Sequence, residues 1–476
     1  MLASAWAADA AYAESGSEPA YDGYLVKFSD SLRIPQTYMD ELDYVMPELF
    51  RTDCAALIKP LLDSGIVEYI EPNYCATLCG DSAAEGGTGT AASDKGWAYD
   101  AMQAAYAKNL GLDGSGVRIA IIDSGVNAAN ADLQSARIDT GCNFLDGTGD
   151  VSDDIGHGTR VSQMIAGADN GLGTTGIAPG AEIVPLKCFA SGRTTSLGDL
   201  IPAIMAAADK YHCDVINMSW GIQTGSDTLD AAIDHALEKG AVCVAAAGNK
   251  PSATKNTEGE MMESTDNTIL YPAACEGVIG VGSVDSNLSS ADTSKKNATV
   301  DVCAPGNLLT FVDTATGANE TKQYSGTSFA SPCAAAAAAL AKQANPSLTG
   351  ADVTALFESR AEDLGAAGRD DAYGYGFVRL DTVFGSPWFR QSAAGGTLSV
   401  RGFRFDAARL QESGVLSAYA AMYSSAGRMA ALQALSQTDG AAAVNITFAS
   451  APEGAAVKLF YLDANYAPVK AAETPS

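Results

Sequence analysis

Between residues 96 and 385, short apolar runs alternate with helix-length patterns, and this alternation restricts the chain to few architectures. Val117 to Ile122, Ile183 to Phe189, Val215 to Met218, Ala241 to Ala247 and Val278 to Val284 are short, predominantly apolar runs that read as strands buried on both faces. Helical patterns fall at 199–210 and 227–239, and a long one opens near Ser328. Strand and helix in turn predict an α/β unit built on a doubly wound parallel sheet.

The flanking regions read differently. Residues 22–75 hold two alternating runs, Tyr24 to Phe28 and Val67 to Glu71, around a helix-like stretch from Cys54 to Leu62, which suits a small α+β module. From Cys79 to Lys95 the composition turns to Gly, Ala, Ser, Thr and Asp without periodicity, as in a flexible and cleavable linker. After Gly385-Ser-Pro387 come strand-like runs without helices, such as Val444 to Phe448 and Val457 to Tyr461, predicting a C-terminal β-sandwich-like domain. The expected division is a residual leader segment at 1–18, a first module at 19–79, a linker at 80–95, the α/β domain at 96–385 and the β-rich domain at 386–476.

Charge and apolar content exclude some functions. Acidic residues outnumber basic ones 57 to 29 over 476 residues, for a net charge of −28, so a phosphate backbone or an anionic bilayer would be repelled. No nucleic acid partner is expected, and no run is long and apolar enough to predict a membrane span. Residues 386–476 depart from this balance, with 6 acidic and 7 basic side chains. Met1 to Ala13 is Ala-rich and ends Ala11-Tyr12-Ala13, the small-x-small pattern of a signal-peptide cleavage site, but it lacks a basic start. It reads as the stump of an export signal, with a frayed terminus as the alternative. The ten cysteines lack the spacing of a disulfide scaffold, several lie in apolar runs, and buried free thiols are expected. No CxxC and no histidine pair at helical spacing predicts zinc.

Three histidines limit the choice of a base that works near neutral pH. His212 and His235 have no glycine or acid constellation around them and read as structural. His157, in Gly156-His157-Gly158-Thr159, stands at the start of a helical pattern where an imidazole is uncrowded, although the tetrapeptide alone is equally a loop. Asp123 ends the run Val117 to Ile122 at the carboxyl edge of a strand, where α/β sites form, or else simply caps an element. Ser328, in Gly326-Thr-Ser-Phe-Ala-Ser-Pro332, opens an Ala-rich helix whose free N–H groups favour developing negative charge, or else is an ordinary capping serine. Together the three supply acid, base and nucleophile in the order Asp, His, Ser. No Gly-x-Ser-x-Gly elbow surrounds Ser328.

Five segments, DSG at 123, GHGT at 156, NMSWG at 217, AAAGN at 245 and GTSFASP at 326, resemble those of the subtilisin-like serine proteases. The resemblance implies that Asp123 orients the imidazole, that His157 is general base and then acid, and that Ser328 is the nucleophile. It implies that Asn249 is an oxyanion-hole amide. It also implies that Ser219, Trp220 and Gly221 pair with extended substrate, that Ala245, Ala246 and Gly248 line the P1 pocket, and that Leu270 floors it, restricting P1 to small or medium apolar residues. Trp220 is equally compatible with plain packing. Residues 19–79 resemble the family's inhibitory prodomain, which puts self-cleavage near Cys79-Gly80, with cleavage elsewhere in the linker to Lys95, or no cleavage, as the alternatives. Arg160 and Cys333 depart from the usual pattern without touching the three residues. Asp132 matches a position that often ligates calcium, although the companion loop, 168–176, is short. No cofactor is required for the chemistry.

The expected function is a secreted, extracellular or cell-surface serine endopeptidase, made as a self-cleaving zymogen, with polypeptide substrates and its own prodomain as inhibitor. A catalytically silent binding or adhesion protein on the same fold is the alternative, and a narrow processing protease is a third reading.

Overall fold

The computed structural model describes residues 19–29, 34–39, 41–79, 82–83, 96–251, 254–255, 261–262, 264–313, 320–403, 417–434, 443–462, 472, 474 and 475. The expectation for residues 1–18 and most of that for 80–95 lie outside them.

The predicted parallel sheet is present. Its strands run, in spatial order, Val302–Pro305, Ile279–Val284, Val242–Ala246, Val215–Met218, Arg118–Asp123 and Glu182–Lys187, all parallel, with Arg137–Ile138 and Cys142–Asn143 adding short edges beside the last. From Arg118–Asp123 the chain crosses to Glu182–Lys187 on one side and then returns to Val215–Met218 on the other. This order reversal is where open α/β sheets leave a crevice at the carboxyl ends of their strands. Consecutive apolar residues are explained by burial on both faces: Ile119, Ile121, Val215, Val242 and Val281 belong to one core, and Ala120, Ile122, Ile216 and Cys243 to the other.

The helix Thr327–Ala344 runs through the first core with every residue but Gln343 buried. Its run of alanines lets the helix axis approach the sheet closely, because a methyl group is the bulkiest thing standing between backbone and strands. None of the helices among the described residues is long and apolar enough to cross a membrane.

The N-terminal unit is an antiparallel sheet, ordered Val67–Leu78, Tyr21–Phe28, Leu49–Thr52, Asp43–Met46, packed on the helix Ala55–Ser64. Val26, Phe28, Phe50 and Leu61 form its own small core. The expected strand at Val67 to Glu71 is much longer than its alternating part, because residues beyond it find partners in another unit. Two of its side chains reach helix N-termini there. Glu71 accepts hydrogen bonds from Ser226 Oγ (2.8 Å), Asp227 N (3.1 Å) and Thr228 N (3.2 Å) at the start of Asp227–Glu238. Asn73 accepts one from Gly198 N (2.8 Å) at the start of Leu197–Asp209. Within the expected linker, Ser82–Ala83 pairs with Glu320–Ser325, so that stretch is not uniformly without structure.

The C-terminal unit is a sandwich of two three-stranded antiparallel sheets that share a core including Leu398, Val400, Met422, Ile446 and Leu459. It is joined firmly to the α/β unit: Trp388 and Phe403 enter the large core, and buried Asp352 pairs with Arg390 (3.1 Å) and Arg401 (3.4 Å).

Candidate active site

Asp123 is the last residue of Arg118–Asp123, at the reversal point of the sheet, and its side chain is wholly buried. Ser124 N donates to its Oδ1 at 2.7 Å. His157 is the first residue of the helix His157–Ala166. The glycine after it is a packing requirement, since a Cβ on Gly158 would stand 2.2 Å from Gly125 O and 3.2 Å from the Asp123 side chain. With no Cβ there, the helix start closes onto the strand end and His157 Nδ1 reaches both Asp123 oxygens, at 2.8 and 2.9 Å. A carboxylate only accepts, so Nδ1 carries the proton and Nε2 is left with a lone pair, the tautomer a general base needs.

Ser328 is the second residue of its helix. Pro332, four residues on, has no N–H to offer the Ser328 carbonyl. Ser219 Oγ donates to that oxygen instead, at 2.9 Å. Asn217 Nδ2 donates to Ser219 Oγ (3.0 Å), and Ser331 Oγ donates to Asn217 Oδ1 (2.7 Å), a buried relay that fixes the backbone carrying the serine. Asn249 Oδ1 accepts from Thr327 N (2.9 Å) and Thr327 Oγ1 (2.8 Å), which leaves Nδ2 as the donor end of that amide. His157 Nε2 and Ser328 Oγ are both buried, and among the described residues neither has a hydrogen-bond partner. They are the two atoms that a serine-to-imidazole proton transfer would join. The imidazole is not open to solvent, contrary to the uncrowded setting expected from the flanking glycines: the ring is fully buried, packed near Phe329 at 5.8 Å between centroids and against Asp123.

The end of Val67–Leu78 lies in that cleft between two short strands. Thr194–Ser196 pairs with it on one side (Thr194 with Thr77, Ser196 with Cys75) and Trp220–Gly221 on the other (Trp220 with Leu78, Gly221 with Thr77), both antiparallel. Leu78 N donates to Arg193 O (3.1 Å) and Cys79 N to Ser219 O (3.0 Å). Burial pushes the Cys79 thiol up to about 12, with Lys295 and Arg193 partly opposing it, so a neutral side chain occupies the site. A cleft of about 890 Å³ remains around this segment, lined in part by Gly221, Asn249, Leu270 and Lys295. Leu270 bridges the two glycine walls: a Cβ on Gly221 would meet its Cδ1 at 2.9 Å, and one on Gly248 at 2.4 Å. Ala245 and Ala246 lie inside the sheet, and the Trp220 side chain is fully buried, so the indole packs while the backbone does the pairing.

Asp132 is wholly buried, and burial pushes its carboxyl up to about 7; the Asn170 amide and Thr174 N–H lie near and only partly offset this. Neither oxygen meets a donor at bonding geometry. They face the short loop, since a Cβ on Gly173 would come 2.7 Å from Oδ2. A buried carboxyl whose oxygens meet no donor among the described residues fits a hard cation. Among the described residues no group of three His, Cys, Asp or Glu side chains is gathered for a metal. All ten cysteines are free, seven of them buried.

Asp153 escaped the sequence reading. It accepts hydrogen bonds from Ser124 Oγ, Gly156 N, Thr159 N and Thr159 Oγ1, at 2.6 to 2.9 Å, and so ties the strand end that carries Asp123 to the helix start that carries His157. Its only signal is an acid shortly before a helix that has glycine, not Ser or Asp, at its N-cap.

A buried carboxylate–imidazole pair at the carboxyl end of a parallel sheet, with a buried serine hydroxyl at the start of the central helix, is the arrangement of a class, the serine peptidases of α/β architecture. A model of the subtilase family (peptidase S8) matches residues 114–376. Subtilisin DY from Bacillus licheniformis is 36% identical over 273 residues, 57% of this chain and 92% of that protein. Minor extracellular protease Epr from Bacillus subtilis is 31% identical over 342 residues, 70% of this chain and 49% of that one. The crystal structure of fervidolysin from Fervidobacterium pennivorans, a keratinolytic enzyme related to subtilisin, shares the fold at a TM-score of 0.64 and 21% identity, covering 97% of this chain and 77% of that one. The chain belongs to the subtilase family, and it is a serine endopeptidase.

Proposed function

We propose that this endopeptidase is exported as a zymogen that cleaves itself, with residues 19–79 as inhibitory prodomain, residues 96–385 as catalytic domain, and Asp123, His157 and Ser328 as its triad. The observation that carries the reading is the seating of Val67–Leu78 and Cys79 as a third strand between two cleft rims, the pose of a bound peptide. Ser328 Oγ attacks the Cys79 carbonyl carbon while His157 Nε2 takes the hydroxyl proton. The Ser328 N–H and Asn249 Nδ2 stabilise the oxyanion. The proton then passes to the departing amine of Gly80, which itself lies outside the described residues, and water releases the ester by the same steps in reverse. Asp123 stays ionised and holds the imidazolium. Export is supported by the name of the extracellular relative and by the small-x-small ending at Ala13. Asp132 would hold a calcium ion, which would balance its charge and take no part in the reaction.

The test is a fluorophosphonate probe together with Ser328→Ala. The expected results are labelling at Ser328, a split of the unmodified chain between residues 74 and 95, and a variant that stays at full length. An unlabelled, prodomain-free preparation, or identical migration of the two proteins after prolonged incubation, overturns the reading.

A further inference from the structure

The buried ammonium group of Lys295 takes no part in the chemistry above, and it stands beside the pocket that holds Cys79. Its side chain is 4% exposed, against 35% for its partner Asp266. Nζ donates to Asp266 Oδ2 (3.1 Å) and to Thr268 O (3.2 Å), while Lys295 N donates to Gly248 O (3.0 Å). One residue is thereby fastened to a glycine wall of the pocket through its backbone and to the segment leading into Leu270 through its tip. The stem fills the space between, since a Cβ on Gly248 would meet Lys295 Cδ at 3.2 Å. Hydrogen bonds from Thr268 and the pairing with Lys295 overcome burial and hold Asp266 below the usual carboxylate range, so the pair is ionic.

The segment 264–270 has no regular secondary structure, and residues 267–269 are exposed. Its far end is tied down where Tyr271 and Ile222 exchange backbone hydrogen bonds at 2.8 and 2.9 Å. Its near end is held by Lys295, by Lys296 N on Asn267 Oδ1 (2.8 Å) and by Asn297 Nδ2 on Asn267 O (3.1 Å). Leu270 sits between the two ties. A ligand side chain deep enough to displace it must stretch a segment fixed at both ends.

We infer that Lys295 is a positioning residue for P1 selectivity: its ion pair with Asp266 pins Leu270 across the pocket and restricts P1 to side chains about the size of Cys or Ala. The inference rests on the endopeptidase reading of this cleft and assigns its depth to a residue outside the triad and the pocket floor.

The experiment compares kcat and KM on two peptides that differ only in P1, Ala or Phe, for the unmodified enzyme and for Lys295→Met, Asp266→Ala, Lys295→Arg and Leu270→Ala. Methionine keeps the stem and loses the ammonium, and Asp266 is exposed enough to be replaced without opening the core. The expected result is a rise of tenfold or more in the Phe to Ala ratio of kcat/KM for Lys295→Met and Asp266→Ala, carried by a lower KM for the Phe peptide. Lys295→Arg should stay near the unmodified ratio. If Leu270→Ala raises the ratio and neither Lys295→Met nor Asp266→Ala does, the pinning role is wrong while the pocket stands. If Leu270→Ala also fails to move it, the pocket assignment falls as well, and loss of fluorophosphonate labelling in a variant separates misfolding from either result.

Discussion

At the scale of single residues, each expected participant is held by a neighbour that does no chemistry. Asp153 joins the supports of Asp123 and His157, and Ser219, Asn217 and Ser331 fix the backbone of Ser328. Asn249 is anchored by Thr327 through its oxygen, so Asn249→Ala removes a donor that is already oriented. The loss typical of one oxyanion donor in this class of enzyme is about 10²–10³ in kcat with little change in KM. Steady-state kinetics on one short peptide check it, and an unchanged kcat would remove Asn249 from the oxyanion site. The sequence singles out Asp123, His157 and Ser328 because each stands in an unusual local string. Asp153, Asn217 and Ser331 were not legible, because their partners lie on other elements and a polar residue of ordinary type carries no mark of what it will meet.

At the scale of elements, strands buried on both faces were the easiest to read, since every residue of such a run is constrained alike. The rim Thr194–Ser196 was invisible: three polar residues become a strand only when a remote segment pairs with them. The long strand Val67–Leu78 was read only over its alternating part for the same reason. Its attachment depends on Glu71, which serves a helix N-terminus with three hydrogen bonds and favours the positive end of that dipole. In the full chain, Glu71→Ala should weaken retention of the cleaved leader by about 1–3 kcal/mol. If the chain cleaves itself as proposed, protease activity should then appear about tenfold sooner, whereas Glu71→Gln, which keeps an acceptor, should lie between the two. Time courses of activity and of leader retention on a sizing column measure this, and equal lag times for all three proteins would count against it.

At the scale of the whole molecule, the C-terminal sandwich shares a core with the α/β unit and does not hang from a tether. The strand-like runs after residue 386 were legible, but this docking was not, because Trp388 and Phe403 look like any sandwich residues until their neighbours are known. Asp352 closes the capping box with Thr349 at the start of Gly350–Arg360 and also meets two arginines of the sandwich. Asp352→Ala should therefore lose the cap and both pairs, about 2–4 kcal/mol after allowing for the partly exposed guanidinium groups. A single cooperative thermal transition shifted several degrees lower is expected. Two separate transitions in the unmodified protein would mean that the units fold independently.

The groove between Thr194–Ser196 and Trp220–Gly221 is one strand wide, and the leader fills it with backbone contacts that any extended chain could copy. On the zymogen reading proposed above, occupancy is exclusive: no client can enter until the tenant has gone, and a severed leader keeps an advantage over clients through its Glu71 and Asn73 anchors. If the chain is such a zymogen, the delay before first use is set by how soon some already vacant molecule digests the tenants of the rest, so the onset of activity in a population should be abrupt, should come earlier at higher protein concentration, and should be hastened by a trace of mature enzyme.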